Sequence, residues 1–372
     1  MKIAQIAPLI ESVPPQRYGG TERIVSYLTE ELVGQGHAVT LFASGDSSTS
    51  AELVPCAPSA LRLNPTVRDA LPYLMVMLDR VRRRAPEFDL LHFHVDYLHY
   101  PLFRDLAAQT LTTQHGRLDL PDLAILSAAF PEFPLVSISD HQRLPCPERN
   151  WVRTVYHGLP QDLYPFSPAA ARGYLAFLGR ICPEKRADLA IEIACRTGWP
   201  LKIAAKVDPV DQSYFEEVVR PLLRHPLIEF IGEIGERDKA AFLGDAAALL
   251  FPIDWPEPFG LVMIEAMACG TPVIAFRRGS VPEILEEGLT GYMVDDIEGA
   301  VAAVHRLDRL DRAVIRRRFE QRFTARRTAE DYLAVYHALA RVGEIQHAAA
   351  MMAPTVTGVT AARDQLESVT AA

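Results

Sequence analysis

The chain has 372 residues, which suggests two domains, and a hydrophobic content of 49% is ample for two buried cores. Its formal net charge of −9 disfavours general nucleic-acid binding, because phosphate contacts need a basic surface. The five cysteines are scattered without C-x-x-C spacing, which argues against a disulfide framework and a zinc site. No signal-peptide pattern or membrane-length apolar run stands out, so we expect a cytoplasmic protein.

Short apolar runs alternate with helical stretches along the chain. The runs in the first half are KIAQIAPL, AVTLFAS, LLHFH, TLTTQH and LVSIS, and those in the second half are YLAFLGR, LKIAAKV, IEFIGEI, AALLFPI and TPVIAF. Strand and helix in alternation predict an α/β fold of two doubly wound, Rossmann-like domains with parallel sheets. Ligands of such sheets bind at the carboxyl ends of the strands, so two facing domains would create a central cleft.

The join between the domains is predicted within residues 157–173, HGLPQDLYPFSPAAARG. Prolines and a loss of periodicity there indicate an extended linker. We therefore predict a first domain over 1–160 and a second domain over 161–325. The tail from 343 to 372 is rich in Ala, Thr and Val without turn or strand punctuation, and we expect it to be poorly ordered.

The segment EPFGLVMIEAMACGTPVIAF, residues 257–276, combines a loop glutamate, a helix start and a second glutamate. Pro258 suits the first turn of a helix, so Glu257 is expected just outside it. Glu265 would lie further along the helix, where its carboxylate is placed to accept hydrogen bonds from ribose hydroxyls. The backbone N–H groups predicted to attract phosphate oxygens are those of Phe259, Gly260 and Leu261.

Two other segments place glycines or cations at the ends of predicted strands. In RYGGTER, Gly19 and Gly20 would let the backbone approach a phosphate or a sugar closely, although a tight turn alone would also explain them. In FLGRICPEKR, Arg180 and Lys185 follow a strand. These cations are suited to neutralising a departing diphosphate, with a pair of solvated surface charges as the alternative.

The run HFHVD places His92, His94 and Asp96 on one face of a strand, as in metal-dependent hydrolases. Such an enzyme usually needs further ligands on later strands of a barrel, and the chain lacks an eightfold strand and helix pattern. We therefore predict no metal site, and assign His94 and Asp96 to the polar lining of the acceptor side.

Arginine is dense in RVRRR, residues 80–84, and again between Arg306 and Arg327. The expected role of such runs is a solvated helical face. Contact with an anionic membrane surface is the alternative, and the cluster at 80–84 would be the place to look if the acceptor were a lipid.

The residues 257–270 resemble the E-x7-E signature of the family 4 retaining glycosyltransferases. FLGRICPEKR resembles the G-R-x-x-x-E-K-G motif of that family, with Arg186 in place of the usual glycine. His157 and Gly158 stand where the family has an asparagine and a glycine. Glu283 in GSVPEIL fits the family's G-x-x-P-E element, where it either sets that loop or is a plain helix-start glutamate.

This resemblance implies the two-domain GT-B architecture, with a final helix over 326–342 that crosses back to the first domain. It implies that His115, at the end of TLTTQH, faces the donor hexose. The implied enzyme is a retaining, metal-independent hexosyltransferase that uses a nucleotide diphosphate sugar, UDP-glucose or a related donor, as a co-substrate and needs no cofactor. Its catalytic residues would be Glu257, Arg180, Lys185 and His115.

The sequence leaves the acceptor open among a small molecule such as a pterin, a glycan and a lipid. Two other functions share the fold and donor recognition. A sugar-nucleotide epimerase would need acid and base residues rather than an acceptor pocket, and a non-catalytic sugar-nucleotide sensor would bind the donor without turnover.

Overall fold

The computed structural model describes residues 1–16, 19–62, 64–166, 168 and 172–352. The first domain contains a seven-stranded parallel sheet in the order β3-β2-β1-β4-β5-β6-β7. Its strands are β1 (Lys2–Ile6), β2 (Ala38–Ser44), β3 (Glu52–Ala57), β4 (Leu90–Phe93), β5 (Thr110–Thr113), β6 (Leu135–Ser137) and β7 (Trp151–Thr154).

The second domain contains a six-stranded parallel sheet in the order β10-β9-β8-β11-β12-β13. Its strands are β8 (Tyr174–Ile181), β9 (Leu201–Val207), β10 (Ile228–Gly232), β11 (Ala246–Phe251), β12 (Val273–Phe276) and β13 (Gly291–Val294). Both sheets have the doubly wound order, in which the chain starts near the centre and reverses direction across the sheet. The prediction of two Rossmann-like domains is confirmed.

Helices connect the strands in both domains. Their bounds are α1 (Gly20–Gly34), α2 (Leu71–Arg84), α3 (Tyr100–Phe103), α4 (Ala124–Ala129), α5 (Ala187–Thr197), α6 (Gln212–Tyr214), α7 (Arg220–Leu222), α8 (Glu236–Gly244), α9 (Leu261–Ala268), α10 (Val281–Ile284), α11 (Ile297–Val304), α12 (Arg312–Arg322) and α13 (Ala325–Met352). A π-helical turn, Phe215–Val219, joins α6 to α7.

Three edge strands were not predicted from the sequence: β3, β7 and β13. Edge strands are covered on fewer sides, so they need no continuous apolar run. In β7, for example, Val152 and Arg153 are exposed, while Trp151 and Thr154 are only partly buried.

The last helix, α13, packs against the first domain. Ala329, Tyr332 and Tyr336 are buried in one cluster with Ile3 and Leu28. The helix begins at Ala325 and continues to Met352, past the predicted boundary at 342. Residues 353–372 of the predicted tail lie outside the described residues.

The two connections between the domains run side by side. The N–H of Leu159 donates to the carbonyl of Phe323 at 2.9 Å, and the N–H of Ala325 donates to the carbonyl of Leu159 at 2.8 Å. A Cβ atom on Gly158 would lie 2.2 Å from the carbonyl oxygen of Thr324. A side chain at position 158 would therefore force the two connections apart.

The arginines around α12 only partly form the solvated face that the sequence predicts, because Arg317 and Arg326 are exposed but four others are buried or partly buried. Arg312 is only 5% exposed, and Arg316 is also partly buried. Each of four arginines donates to backbone carbonyl groups, which holds α12 against the second domain and the start of α13 against the first. The acceptors are Gly244 and Ala246 for Arg312, Tyr164 and Ala268 for Arg316, Glu283 for Arg322, and Tyr156 for Arg327.

The arginines of the first cluster contact acidic or carbonyl partners on neighbouring elements. Arg82 lies 2.5 Å from Asp105, and Arg84 lies 2.7 Å from Glu87. These ion pairs offset much of the positive charge of the run. In the part of the chain that the structure describes, none of the helices has both the length and the apolar character of a membrane span.

Candidate active site

A cavity of about 570 Å³ lies between the carboxyl ends of the two sheets. Its size is within the range of roughly 300–1,000 Å³ typical of small-molecule sites. The predicted site residues that line it are Gly19, Gly20 and His115 from the first domain, and Arg180, Lys185, Glu257, Phe259, Gly260, Leu261 and Glu265 from the second.

The glycines after β1 bring α1 close to the second domain. Gly20 is the first residue of α1, and a Cβ atom built on it would lie 3.5 Å from Cδ1 of Leu261, the first residue of α9. A Cβ atom on Gly19 would lie 2.8 Å from Cβ of Pro15. Two helix N-termini therefore border the cavity from opposite domains, and both favour negative charge nearby.

Helix α9 begins at Leu261 rather than at Pro258, which corrects the predicted helix start. Gly260 precedes it with φ of +79°, and a Cβ atom there would lie 2.7 Å from Cε of Met263. A left-handed, crowded position of this kind favours glycine. Pro258 and Phe259 consequently belong to a loop, and the first turn of α9 presents the N–H groups of Leu261 and Val262, which have no acceptor within the helix.

The loop before α9 packs against the segment GSVPE, residues 279–283. The N–H of Ser280 donates to the carbonyl of Glu257 at 2.9 Å, and its hydroxyl donates to the carbonyl of Phe259 at 2.8 Å. A Cβ atom on Gly279 would lie 2.3 Å from the backbone nitrogen of Glu257. From the sequence, only Glu283 of this segment was predicted to have a role, and the contacts of Gly279 and Ser280 with the loop were not predicted.

Glu257 and Lys185 form an ion pair at the cavity wall. The indole N–H of Trp255 also donates to Oε2 of Glu257 at 2.8 Å, and Nζ of Lys185 lies 5.3 Å from the centre of the indole ring. The sequence predicted separate roles for the carboxylate and the ammonium group. In the structure they are direct partners. Lys185 has three N–H donors, so it is able to donate to an anion while it stays paired with Glu257.

Arg180 emerges from the end of β8 and is about one-third exposed. Its Nε lies 3.5 Å from Oδ2 of Asp211, and its Nη1 lies 3.7 Å from Oδ2 of Asp208. Both distances exceed those of well-formed charged hydrogen bonds. The arrangement keeps the guanidinium at the cavity while two carboxylates, which the sequence analysis did not identify, offset its charge.

Glu265 is 3% exposed and lies in a cluster of charged groups from both domains. Its Oε1 accepts hydrogen bonds from Nζ of Lys239 at 2.8 Å and from the hydroxyl of Tyr164 at 3.3 Å, and lies 3.5 Å from Nη1 of Arg23. Arg23 also pairs with Glu236. Burial disfavours the charged form of Glu265, but Lys239 and Arg23 outweigh it and hold its pKa below the usual value.

The second carboxylate oxygen of Glu265 is available to a ligand. The hydrogen bonds above all use Oε1, and Oε2 is not among the fully buried, unpartnered atoms of the described residues. Since Glu265 lines the cavity, Oε2 is suited to accept a hydroxyl group.

His115 lines the cavity, whereas His94 lies behind it. Nε2 of His115 is 2.9 Å from Nδ1 of His94, and the rings of His115 and His157 stack with centres 5.3 Å apart. Burial lowers the pKa of His115 to about 3, and burial followed by the neighbouring histidines lowers that of His94 well below 6.5. The three rings are therefore neutral at ordinary pH, since burial also lowers the pKa of His157.

Neither His94 nor Asp96, which the sequence assigns to the acceptor side, lines this cavity. His94 is 2% exposed, whereas Asp96, with φ of 52°, is exposed just after β4. His92 bonds to Tyr336 and Thr113 instead of pointing at a shared centre. Among the described residues, no group of three or more His, Cys, Asp or Glu side chains is arranged to hold a metal ion.

Glu283 joins the two domains. Its carboxylate accepts hydrogen bonds from the backbone N–H groups of Asp140 and His141, each at 2.7 Å, and from the hydroxyl of Tyr156 at 3.0 Å. From the sequence, Glu283 was expected either to set its loop or to be a plain helix-start glutamate, and its contact with the first domain was not predicted.

Comparisons with known proteins agree with this architecture. The sequence model described as Glycosyltransferase Family 4 matches residues 18–180, and the one described as Glycosyl transferases group 1 matches residues 167–318. The D-inositol 3-phosphate glycosyltransferase of Mycolicibacterium smegmatis is 28% identical over 336 residues, covering 74% of this chain and 75% of the relative. The corresponding protein of Kribbella flavida is 27% identical, covering 77% of this chain and 82% of the relative.

Solved structures share the fold. AviGT4, a glycosyltransferase involved in avilamycin A biosynthesis, matches with a TM-score of 0.68 and 23% identity, covering 92% of this chain and 98% of that chain. Anabaena HepE in complex with UDP matches with a TM-score of 0.71 and 16% identity, covering 91% of this chain and all of that chain. These neighbours show that the fold is the GT-B architecture. The two sequence models together match residues 18–318 and support a glycosyltransferase of the family 4 type.

Proposed function

We propose that this glycosyltransferase is a retaining, metal-independent hexosyltransferase that transfers glucose from UDP-glucose to an acceptor hydroxyl group. The observation that carries the proposal is the arrangement around α9. Oε2 of Glu265, which is suited to a ribose hydroxyl, lies in the same cavity as Arg180, Lys185 and the N-terminus of α9, whose positive charge suits a diphosphate. Glu257 is paired with Lys185 at the wall of this cavity. The glucose complex reported for Anabaena HepE, which shares the fold, supports the choice of UDP-glucose as first donor.

In the proposed reaction, the bond between the anomeric carbon and the diphosphate oxygen breaks, and the acceptor oxygen bonds to the same face of that carbon. The acceptor proton passes to the departing phosphate oxygen. Arg180, Lys185 and the N–H groups of Gly260 and Leu261 stabilise the charge that grows on the diphosphate. Glu257 and His115 orient the hexose, so positioning and charge stabilisation supply most of the catalysis.

The acceptor is left open among pterins, glycans and lipids, and the named activity of the relatives adds inositol phosphate to the compounds to test first. A cytoplasmic location fits a nucleotide-sugar donor, and contact with a membrane surface is expected only for a lipid acceptor.

The donor proposal is tested by calorimetry with UDP-, GDP- and ADP-sugars. UDP-glucose is expected to bind best, and Glu265→Ala is expected to lower its affinity by about 10-fold or more, because a charged hydrogen bond is worth about 1.5–3 kcal/mol. Glu298→Ala, at an exposed position on α11, serves as the control and should bind as the unmodified protein does. Unchanged donor affinity in the Glu265 variant would refute the ribose assignment.

The reaction class is tested by supplying donor with cell extract and candidate acceptors, and detecting added hexose by mass spectrometry. The proposal expects a product with the anomeric configuration of the donor, formed equally after treatment with a chelator. An isomerised sugar formed from donor alone would instead identify an epimerase. Donor binding without hydrolysis or transfer across the panel would identify a non-catalytic sensor.

A further inference from the structure

Behind the cavity wall, one buried hydrogen-bonded chain connects His115 to the crossover helix α13. Nε2 of His115 lies 2.9 Å from Nδ1 of His94, and Nε2 of His94 lies 2.8 Å from Oε1 of Gln5. Nε2 of Gln5 then donates to the hydroxyl of Tyr336 at 3.1 Å. Gln5 and Tyr336 are fully buried and His94 is nearly so, so water does not replace any of these partners.

The orientation of the Gln5 amide determines which atoms donate along this chain. Its oxygen is only an acceptor, so Nε2 of His94 must carry a hydrogen. Burial keeps both histidine rings neutral, and a neutral imidazole has one donor and one acceptor nitrogen. Nδ1 of His94 is therefore an acceptor, and Nε2 of His115 must donate to it.

The remaining ring nitrogen of His115 is consequently an acceptor that reaches the cavity. Nδ1 of His115 makes no hydrogen bond with the described residues and is not among their fully buried, unpartnered atoms. His115 itself lines the cavity, opposite the loop that carries Glu257. A hydroxyl group is the natural partner of such a nitrogen in a sugar-binding site.

We propose that His94 and Gln5 are positioning residues that hold His115 in the Nε2–H tautomer, so that its Nδ1 accepts a hydrogen bond from a hydroxyl group of the bound hexose. The identity of the ligand rests on the proposed function, whereas the tautomer does not. Tyr336 fixes the far end of the chain, so the crossover helix contributes to the geometry of the sugar site without touching the sugar.

The tautomer is measurable in the protein without ligand, by ¹H–¹⁵N correlation spectroscopy of the histidine rings. Single His→Asn variants assign the signals. The expected result is a protonated Nε2 and an unprotonated Nδ1 on His115. The opposite pattern would mean that the Gln5 amide is reversed, and would overturn the proposal.

Variants at Gln5 test whether this residue sets the tautomer. Gln5→Glu supplies an oxygen acceptor and should keep the Nε2–H form, whereas Gln5→Leu should give a mixture of both tautomers. Thr112→Val is the matched control. Thr112 lies in the same sheet as Gln5, and its substitution removes a 3.0 Å hydrogen bond to His99 but none of the hydrogen bonds between Gln5, His94 and His115. A His115 spectrum that is identical in Gln5→Leu would refute the positioning role.

The hydroxyl contact is tested with UDP-glucose analogues in which one hexose hydroxyl at a time is replaced by hydrogen or by fluorine. Fluorine cannot donate, so at the contacted position both analogues should lose about 3- to 10-fold in affinity, as expected for one neutral hydrogen bond. Affinity retained by the fluoro analogue alone would mean that His115 donates, and no loss at any position would mean that the contact is not made. If UDP-glucose itself does not bind, the proposed function fails and the tautomer measurement still decides the positioning role.

Discussion

Nη1 of Arg23, in the first domain, lies 3.5 Å from Oε1 of Glu265 in the second domain. The side chains are 6% and 5% exposed, and Arg23 pairs with Glu236 as well. The residue proposed to bind the donor ribose is thus also part of a charged contact between the domains. Under the proposed function, donor recognition and the contact between the domains share one carboxylate.

Replacing Arg23 by Met should destabilise the protein by about 2–4 kcal/mol, because it leaves two carboxylates with one cation fewer in a poorly hydrated site. Lys239 still contacts Glu265, which limits the loss. Urea unfolding measures the change. The control is Arg83→Met, which removes an exposed ion pair with Asp79 and should cost less than about 0.5 kcal/mol. Equal effects of the two substitutions would contradict this assignment.

Replacing Arg180 by Met should lower kcat by about 100-fold while donor affinity changes by about 3-fold or less, because charge on the diphosphate grows in the transition state. Steady-state kinetics and calorimetry separate the two effects. Lys202→Met, at a half-exposed cation on the neighbouring strand β9, is the matched control and should leave both values unchanged. A loss confined to donor affinity would assign Arg180 to ground-state binding alone.

Gly279→Ala should abolish most transferase activity, because its new methyl group would lie 2.3 Å from the backbone nitrogen of Glu257 and displace the loop. Gly288→Ala is a close control. Gly288 has a similar positive φ, of 71°, but nothing within 4 Å of an added Cβ atom, so its cost is limited to backbone strain of about 1 kcal/mol. Activity assays together with thermal melts test the pair, and comparable activity in both variants would show that the loop tolerates the methyl group.

Stability should fall as pH drops below about 6.5, because His157 is buried and neutral in the folded protein. Burial, followed by His115 and Arg327, depresses its folded pKa. The contribution of His157 to folding stability is therefore complete above the pKa of the unfolded state. It is lost as pH falls towards the lower pKa of the folded state. His157→Asn should reduce the slope by up to about 1.4 kcal/mol per pH unit. Urea midpoints between pH 7 and pH 5 measure the slope, and an equal slope in the unmodified protein and in His157→Asn would contradict this role.

Much of the fold was predictable from local pattern. Each apolar run that was identified from the sequence is a strand. Nine of the ten are inner strands, which are largely buried because helices cover both faces of a parallel sheet, and the tenth, β10, is a half-buried edge strand. The motifs around Gly19, Arg180 and Glu265 follow such strands, and parallel strands collect their carboxyl ends at one edge. That rule alone predicts that these residues meet at one cleft, where the structure has them.

The partners of these residues depend on contacts that no local pattern encodes. The pairing of Lys185 with Glu257, the crossing of Arg23 to Glu265, and the burial of His94 behind His115 join segments far apart in the chain. The start of α9 depended on the crowding of Gly260 by Met263 and Phe251.

The sequence by itself determined the class of fold, the edge of the sheets where the site lies, and the chemical types of group in it. These follow from the periodicity of apolar residues and from the positions of glycines and charges along single elements. Only the tertiary structure decided which carboxylate oxygen stays open, which cations are already paired and which ring nitrogen of His115 accepts. Those properties depend on burial and on the distances between segments that are far apart in the chain. In such contacts, one hydrogen bond determines whether the next group donates or accepts.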